Sequence, residues 1–514
     1  MNDKKLNRSI KLVAVFCILC LNISSPLLSY ANEFKEPLKE KKQPNIIVIL
    51  ADDMGFGDIG AYNKESAIPT NHLDQLANEG IRFTNAHTPS SVCTPTRYSV
   101  LTGRYAWRSK LKSGVLWGYS PLLIETDRAT IPSMLKEKGY HTAGIGKWHL
   151  GLGDSEADYY LENDGKGQNS GDDFGRLSPG PNEVGFDYFF GIPASLDMKP
   201  YVYIENGKPY RPLDGQLIKS SKQRRIGGEG FWRKGQIAEG FVHKNVLPTI
   251  TDKAKSYIES RSKAQDDKPF FLYFALTAPH TPWLPTDEFI GKSKAGYYGD
   301  FAVQVDDVVG QIRATLKKTG MDENTLLVFT SDNGAHWTEN DLKKYNHLAN
   351  GSFRGQKADI YEGGHRVPLI VTWPDNIPQN ISTEQPTTLT DLMATFAAIV
   401  DVKLEDDEGP DSFNILPTLL NQHNLQKTRA PMIHHSYDGM FAIRDGDWKL
   451  VDGLGSGGFT KPVRDIAAKG ESSIQLYNLK DDPNESKNIA NLHPELVKKL
   501  LGQLNSIKET GASR

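Results

Sequence analysis

Apolar residues in this chain come in short, nearly unbroken runs that stop at polar clusters. Ile46-Ile47-Val48-Ile49-Leu50 follows Asn45 and ends at Ala51-Asp52-Asp53-Met54-Gly55. Thr142 to Gly146 leads into Lys147-Trp148-His149, and Phe270 to Leu276 leads into Thr277-Ala278-Pro279-His280. Leu326 to Thr330 leads into Ser331-Asp332-Asn333-Gly334, and Val367 to Trp373 is a further run of strand length. Strands apolar on both faces are what a sheet covered on both sides requires. Between them Phe301, Val305, Val308, Ile312 and Leu316 recur at steps of three and four, with Gly320 as a stop. Residues 132–138, 246–261 and 390–400 follow a helical period too. The alternation predicts an α/β fold with a large mixed, mostly parallel sheet flanked by helices. In such folds ligands bind beyond the carboxyl ends of the strands. Four polar clusters fall at that end, so they point to one site.

The pattern changes near residue 431. Short runs at 441–443, 448–451 and 475–477 precede one helical stretch, 494–508, which predicts a smaller C-terminal α+β subdomain on an antiparallel sheet. Residues 1–31 read differently again. Lys4, Lys5, Arg8 and Lys11 precede an apolar run from Leu12 to Leu28, and Ser29-Tyr30-Ala31 offers small residues at a cleavage point. This is the pattern of a secretory signal peptide. It predicts a periplasmic or secreted protein with no stable membrane insertion after cleavage. The expected organisation is therefore signal peptide 1–31, catalytic domain 32–430 and C-terminal subdomain 431–514. Residues 152–185, rich in Gly, Asp, Asn, Ser and Pro, read as a long surface excursion.

Composition narrows the partners. Sixty basic residues against 63 acidic ones give a formal charge of −3, so nothing electrostatic points to nucleic acid. The basic run Lys222-Gln223-Arg224-Arg225 and the pair His434-His435 read as surface features. Of the three cysteines, Cys17 and Cys20 leave with the signal peptide. Cys93 then has no disulfide partner within the chain.

Cys93 opens the string Cys93-Thr94-Pro95-Thr96-Arg97, followed by Leu101-Thr102-Gly103-Arg104. Thr94 as N-cap with Pro95 at the first helical position predicts a helix start. Free N–H groups there favour an anion, and Arg97, one turn in, can pair with an oxyanion. A free cysteine more often simply packs. Asp52, Asp53, Asp332 and Asn333 offer hard oxygen ligands from two strand ends, a set that suits Ca²⁺ or Mg²⁺ and not zinc.

The Cys-x-Pro-x-Arg string with its Leu-Thr-Gly-Arg resembles the signature of type I sulfatases, within the alkaline-phosphatase superfamily. The resemblance runs from about residue 43 to the C-terminal tail. Asp52-Asp53-Met54-Gly55, Gly146-Lys147-Trp148-His149, Ala278-Pro279-His280, Ser331-Asp332-Asn333-Gly334 and Arg354-Gly355-Gln356-Lys357 with Glu362-Gly363-Gly364 match in order. Within the family the likeness is to bacterial arylsulfatase and N-acetylgalactosamine-6-sulfatase-like enzymes.

The resemblance implies that Cys93 is oxidised to formylglycine by a maturation enzyme and that one calcium is held by Asp52, Asp53, Asp332, Asn333 and residue 93. It implies that Lys147, Lys357 and Arg97 supply positive charge to a sulfate ester. His280, with Lys357, then protonates the leaving oxygen, while His149 takes a proton from the second hydroxyl of the hydrate. Ser195 or Asp197 stands where relatives carry a further polar residue. Trp148, His336 and Trp337 are candidate substrate contacts, because aromatic faces suit sugar rings. The implied substrate is a sulfated glycan, algal such as ulvan-type or a glycosaminoglycan. Two alternatives stand beside it: a phosphomonoester or phosphonate monoester hydrolase of the same superfamily, and an inactive glycan-binding protein with unmodified Cys93.

Overall fold

The computed structural model describes residues 42–154, 177–217, 231–422 and 429–514. The signal segment 1–31, the basic run 222–225 and residues 155–176 of the predicted excursion lie outside the described residues. Contacts group Pro44–Arg514 into one unit.

Ten strands form the main sheet: β1 (Asn45–Asp52), β2 (Ile81–Phe83), β3 (His141–Lys147), β4 (Tyr188–Ile192), β5 (Ile204–Glu205), β6 (Lys208–Pro209), β7 (Phe270–Pro279), β8 (Thr325–Ser331), β9 (Leu369–Thr372) and β10 (Ile381–Thr383). Their order is β10-β2-β9-β8-β1-β7-β3-β4-β5-β6. The centre, β8-β1-β7-β3-β4, is parallel throughout. β9 runs antiparallel to both β8 and β2, and β5 and β6 continue the other edge antiparallel. The run at Val367–Trp373 is thus a buried strand of the sheet, but not a parallel one. All eight residues of β1 are buried, as its apolar run requires.

Among the helices are α1 (Cys93–Thr102), α2 (Ile131–Glu137), α3 (Val246–Ser262), α4 (Gly296–Thr319), α5 (Glu362–His365), α6 (Leu392–Ile399) and α7 (Pro494–Thr510). Gly320 ends α4 with a left-handed φ of 68°, the stop expected of it. Two neighbours on β7 show how the sheet is covered. Phe270 packs on Tyr257 of α3, and Phe271 packs on Phe396 of α6. Successive strand residues point to opposite faces, so α3 and α6 lie on opposite sides of the sheet.

The C-terminal sheet is an antiparallel meander of β11 (Met432–His435), β12 (Phe441–Asp445), β13 (Trp448–Val451) and β14 (Gln475–Asn478). Leu500 and Leu504 of α7 close its core with Ile433, Ile443, Leu450 and Leu476. A polar staple joins this sheet to the main one. Lys449 Nζ donates to Glu362 Oε1 at 3.1 Å, lies 3.0 Å from His365 Nε2 and pairs with Glu485 Oε1 at 2.8 Å. His365 Nδ1 lies 3.1 Å from His87 Nδ1, and His87 Nε2 lies 2.9 Å from Asn85 Oδ1 and 2.8 Å from Arg444 Nη1. Burial pushes His87 and His365 well below the usual imidazole range, which favours their neutral forms.

His434 and His435 are part of this interior, not of the surface. His434 is fully buried, stacks on His365 at 4.0 Å and donates from Nδ1 to Thr88 O. His435 is buried as well, and its backbone pairs with Pro89 and Ser91. The expectation failed because β11 is sandwiched between its own sheet and the main unit, so both its faces are covered.

The staple makes a stability prediction. Lys449→Ala leaves Glu362 and Glu485 buried without their shared cation, and urea denaturation should show a loss of about 3–5 kcal/mol. A loss below about 1 kcal/mol would show that the staple is dispensable.

Candidate active site

The parallel centre of the sheet delivers its polar clusters to one edge. Asp52 ends β1, Lys147 ends β3, Pro279 ends β7 just before His280, and Ser331 ends β8 just before Asp332. Gly146 makes the exit of β3 possible. Its φ is 113°, and a Cβ there would lie 1.8 Å from Ala275 O. Two non-glycine residues of the cluster, Asp53 (φ 67°) and His149 (φ 56°), also hold left-handed backbone. Such conformations cost on the order of 1–3 kcal/mol and persist where the surroundings enforce them.

Cys93 begins α1 and is 2% exposed. The helix starts earlier than expected, because Val92, not Thr94, is the N-cap. The Thr94 hydroxyl instead donates to His149 O at 3.0 Å and accepts from Leu116 N–H. Pro95 is tolerated as the third helical residue, since N–H groups of the first turn have no intrahelical partner to lose. Burial raises the Cys93 thiol, against the pull of Lys147 and Lys357.

Around this sulfur lie three buried carboxylates and three cations. Lys147 Nζ sits 2.8 Å from both oxygens of Asp52. Lys357 Nζ sits 2.6 Å and 2.8 Å from the oxygens of Asp53. Arg97 donates from Nε to Asp332 Oδ2 at 2.9 Å, reaches the same oxygen through Nη2 at 2.8 Å, and donates to Lys147 O. Its guanidinium is completely buried, so its oxyanion partner is a carboxylate of this chain. Asn333 Nδ2 donates to Asp53 Oδ1 at 2.7 Å, while Asn333 Oδ1 is buried with no hydrogen-bond partner. Ligand atoms of Asp52, Cys93 and Asp332 lie within 4.8 Å of one another, as do those of Asp52, Asp53 and His280. The structure therefore brings together every residue expected to bind metal or to carry the chemistry.

The electrostatics follow from this crowding. Burial alone would raise Asp52, but Lys147, His280 and Arg97 overcome it and hold the carboxyl well below the usual range. Asp332 goes the other way. Burial, aided by Asp52 and opposed by Arg97, pushes it up to about 7. Burial works against the Lys357 ammonium, yet Asp53 and Cys93 outweigh it and push the group up.

Both histidines have a fixed tautomer. His149 Nε2 donates to Leu116 O at 2.7 Å, which leaves its buried Nδ1 as an unpartnered acceptor. His280 Nδ1 donates to Thr281 O at 2.5 Å, which leaves Nε2 facing Asp53 Oδ2 at 3.7 Å. Burial lowers both, with Lys147 adding at His149 and Lys357 at His280.

Trp148 and Trp337, two of the expected substrate contacts, are packed into the interior. Trp148 is completely buried, donates from Nε1 to Gly151 O and meets the rings of Phe186 and Phe189. The strand ends at Lys147, and the left-handed turn at His149 directs that residue's ring to the site while Trp148 before it packs into the core. Trp337 is buried too. It donates to His347 O and packs on Tyr298 at 4.9 Å. Ser195 is buried with an unpartnered hydroxyl, two residues beyond Pro193, whose carbonyl accepts from His149 N–H. Asp197 pairs with Arg233 at 2.6 Å and keeps Oδ1 unpartnered. His336 is half-buried beside Phe459.

Other residues of the site escaped the motif reading. Asp58 accepts from Gly55 N–H at 2.7 Å, from His347 Nε2 at 2.8 Å and from the Tyr298 hydroxyl, fixing the turn that carries Asp53. The Tyr298 hydroxyl also reaches Asp53 O at 3.2 Å. A carboxylate two residues past Gly55-Phe56 was the available signal, but its partners lie 240 and 289 positions away.

A profile of the sulfatase family matches residues 44–402. The chain belongs to the sulfatase family. An N-acetylgalactosamine-6-O-sulfatase of Bacteroides thetaiotaomicron is 34% identical over 512 residues, covering 92% of this sulfatase and 95% of that protein. Arylsulfatase A of Homo sapiens is 30% identical over 487 residues, covering 91% and 88%. A solved structure from work on glycosaminoglycan metabolism in Bacteroides thetaiotaomicron superposes with a TM-score of 0.78 at 33% identity. It covers 91% of this sulfatase and 100% of that chain. Sulfatases cleave sulfate esters, and this chain is a sulfuric ester hydrolase. Among the described residues no helix is long and apolar enough to cross a membrane.

The packing role of Trp148 can be tested directly. Trp148→Phe loses the Nε1 hydrogen bond and ring volume, and should cost about 1–3 kcal/mol in denaturant unfolding. The KM of this sulfatase for its substrate should stay within about threefold. A large rise in KM without loss of stability would restore Trp148 as a substrate contact.

Proposed function

We propose that this sulfatase removes sulfate from a glycan, using residue 93 as formylglycine and one calcium ion. The observation that carries this reading is the cage itself: three carboxylates and three cations packed around a single buried Cys93. The glycan class is supported by the N-acetylgalactosamine-6-O-sulfatase to which the chain is similar over nearly its whole length. The pattern of residues 1–31 adds export, to the periplasm or beyond.

Asp52, Asp53, Asp332 and Asn333 fit a calcium ion. All their donors are oxygens, and Asn333 Oδ1 is a buried acceptor without a partner. Asp332, pushed up to about 7, is a carboxyl that a nearby cation would hold ionised. When bound, calcium supplies charge against the sulfate oxygens, and formylglycine supplies a hydrated aldehyde with a nucleophilic oxygen.

The chain's own residues do the rest. Lys147 and Lys357 offset the negative oxygens of a sulfate ester. His280, its Nδ1 committed to Thr281 O, presents Nε2 to the leaving oxygen beside the charged Lys357. His149, its Nε2 committed to Leu116 O, has Nδ1 free to accept a proton from the second hydroxyl at residue 93. Arg97 orients Asp332 and Asp52 and stays off the substrate.

Three measurements test this. In the native host, the Cys93 peptide should be lighter by about 18 Da, the change from thiol to aldehyde. An unshifted peptide would overturn the formylglycine reading and favour a binding protein. Cys93→Ala should lower kcat at least about a thousandfold while the melting curve stays unchanged. A panel of sulfated sugars, with N-acetylgalactosamine 6-sulfate and ulvan oligosaccharides among them, should release sulfate. Faster release of phosphate from aryl phosphate would favour the phosphoesterase alternative.

The pH dependence has a definite sign. A general acid works only while protonated, and His280 lies below its ordinary 6.5. Turnover of sugar sulfates, whose alkoxide leaves poorly, should therefore fall as pH rises, with its optimum on the acid side of 6.5. His280→Ala should depress sugar sulfates more than activated aryl sulfates. Equal losses would remove the general-acid role.

A further inference from the structure

The C-terminal sheet sends two loops back to the catalytic cage. One carries Tyr437, whose N–H donates to Ala358 O at 2.9 Å and whose carbonyl accepts from Gly114 N–H at 2.7 Å. Ala358 directly follows Lys357. The other loop carries Phe459. Asp359 straps it down by accepting from Phe459 N–H at 2.7 Å, Thr460 N–H at 3.0 Å and the Thr460 hydroxyl at 2.5 Å. Gly458 lets it seat so closely, since a Cβ there would stand 2.3 Å from the carbonyl of Ala358.

These loops line up three rings beside Lys357. Tyr437 and Phe459 meet with centroids 5.7 Å apart, and Phe459 and His336 meet at 5.1 Å. Tyr437 and His336 are partly exposed, and Phe459 is 42% exposed. Among the described residues it is the one phenylalanine left in solvent. A loop tied by three hydrogen bonds to one buried carboxylate has no freedom to fold that ring away, so the exposure is built in. Burial pushes the Tyr437 phenol up, with Cys93 adding and Arg233 and Lys357 opposing.

We propose that Tyr437, Phe459 and His336 form a platform for the apolar face of a sugar ring next to the sulfate being cleaved. This rests on the glycan reading above. Rings held at 49° and 45° to Phe459 beside a cationic centre form an aromatic cradle, which suits a molecule that carries C–H faces and anionic groups on neighbouring atoms. Sulfated pyranoses do. A small aryl sulfate fills the cage and gains little from the platform. Binding energy from a non-reacting part of the substrate would favour the longer glycan. The C-terminal subdomain then sets substrate choice, while the main sheet carries the chemistry.

The test compares kcat/KM of wild type, Phe459→Ala and Phe459→Trp. The substrates are 4-nitrophenyl sulfate and whichever tetrasaccharide of chondroitin 6-sulfate, ulvan or carrageenan the wild type desulfates best. Phe459→Ala should lower the tetrasaccharide value at least tenfold more than the aryl sulfate value, chiefly through KM. Phe459→Trp should recover most of that loss. Tyr437→Ala should act in the same direction. Equal losses on both substrates, or a tetrasaccharide value unchanged by Phe459→Ala, would overturn the platform and leave the glycan reading standing. A wild type active on 4-nitrophenyl sulfate but silent on every tetrasaccharide would overturn that reading and the platform with it.

Discussion

Three buried carboxylates held against three buried cations form the constraint on which this structure depends. Removing such charges from water costs several kcal/mol per ion, and that cost is recovered only with close geometry and further hydrogen bonds. Five parallel strands provide the geometry, because their carboxyl ends bring Asp52, Lys147, His280 and Asp332 to one edge without any long loop. The strained backbone at Asp53 and His149 belongs to the same constraint. It turns those side chains inward where a relaxed strand would carry them past the site.

The sequence made the sheet centre and much of the cage legible for one reason. Four polar clusters of the cage directly follow a run of apolar residues, so a local pattern marks both the strand and its end, whereas Cys93, Arg97 and Lys357 stood out only through their motifs. Signals that depend on distant chain were harder to read. Thr94 looks like a cap, but its hydroxyl is drawn to His149 and Leu116, contacts that no window around residue 94 contains. Trp148 sits between two site residues, and what turns it away is a ring pocket of Phe186 and Phe189 some forty positions on. His434 and His435 carry no local mark of burial, since what covers them is another sheet. Asp58 is a similar case, because its value lies in Tyr298 and His347.

The staple between the two sheets explains why a catalytic domain would keep a second subdomain. His87, His365 and His434 bring ring nitrogens within 4.8 Å of one another, a spacing that a metal ion could use. The protons argue otherwise. The Nδ1 atoms of His87 and His365 are committed to each other, and Lys449 and Arg444 stand at 3.0 and 2.8 Å from their outer nitrogens. Two fixed cations make this a poor place for a third. The cluster is better understood as a polar lock that fixes the register of β11 and β13 against α5. From that register the loops bearing Tyr437 and Phe459 take their positions beside Lys357.

Cys93 closes the physical argument. Burial raises its thiol, so as cysteine it would be a weak nucleophile in spite of the lysines around it. With 2% exposure at the root of a helix packed into the cage, it is also out of reach of any second protein. Under the proposed function, conversion to formylglycine must therefore precede folding, while the Cys-Thr-Pro-Thr-Arg string is still extended and open. The same five residues would then serve twice, first as a linear signal to the maturation enzyme. Afterwards they are the turn of helix that holds residue 93 against Asp52 and Asp332.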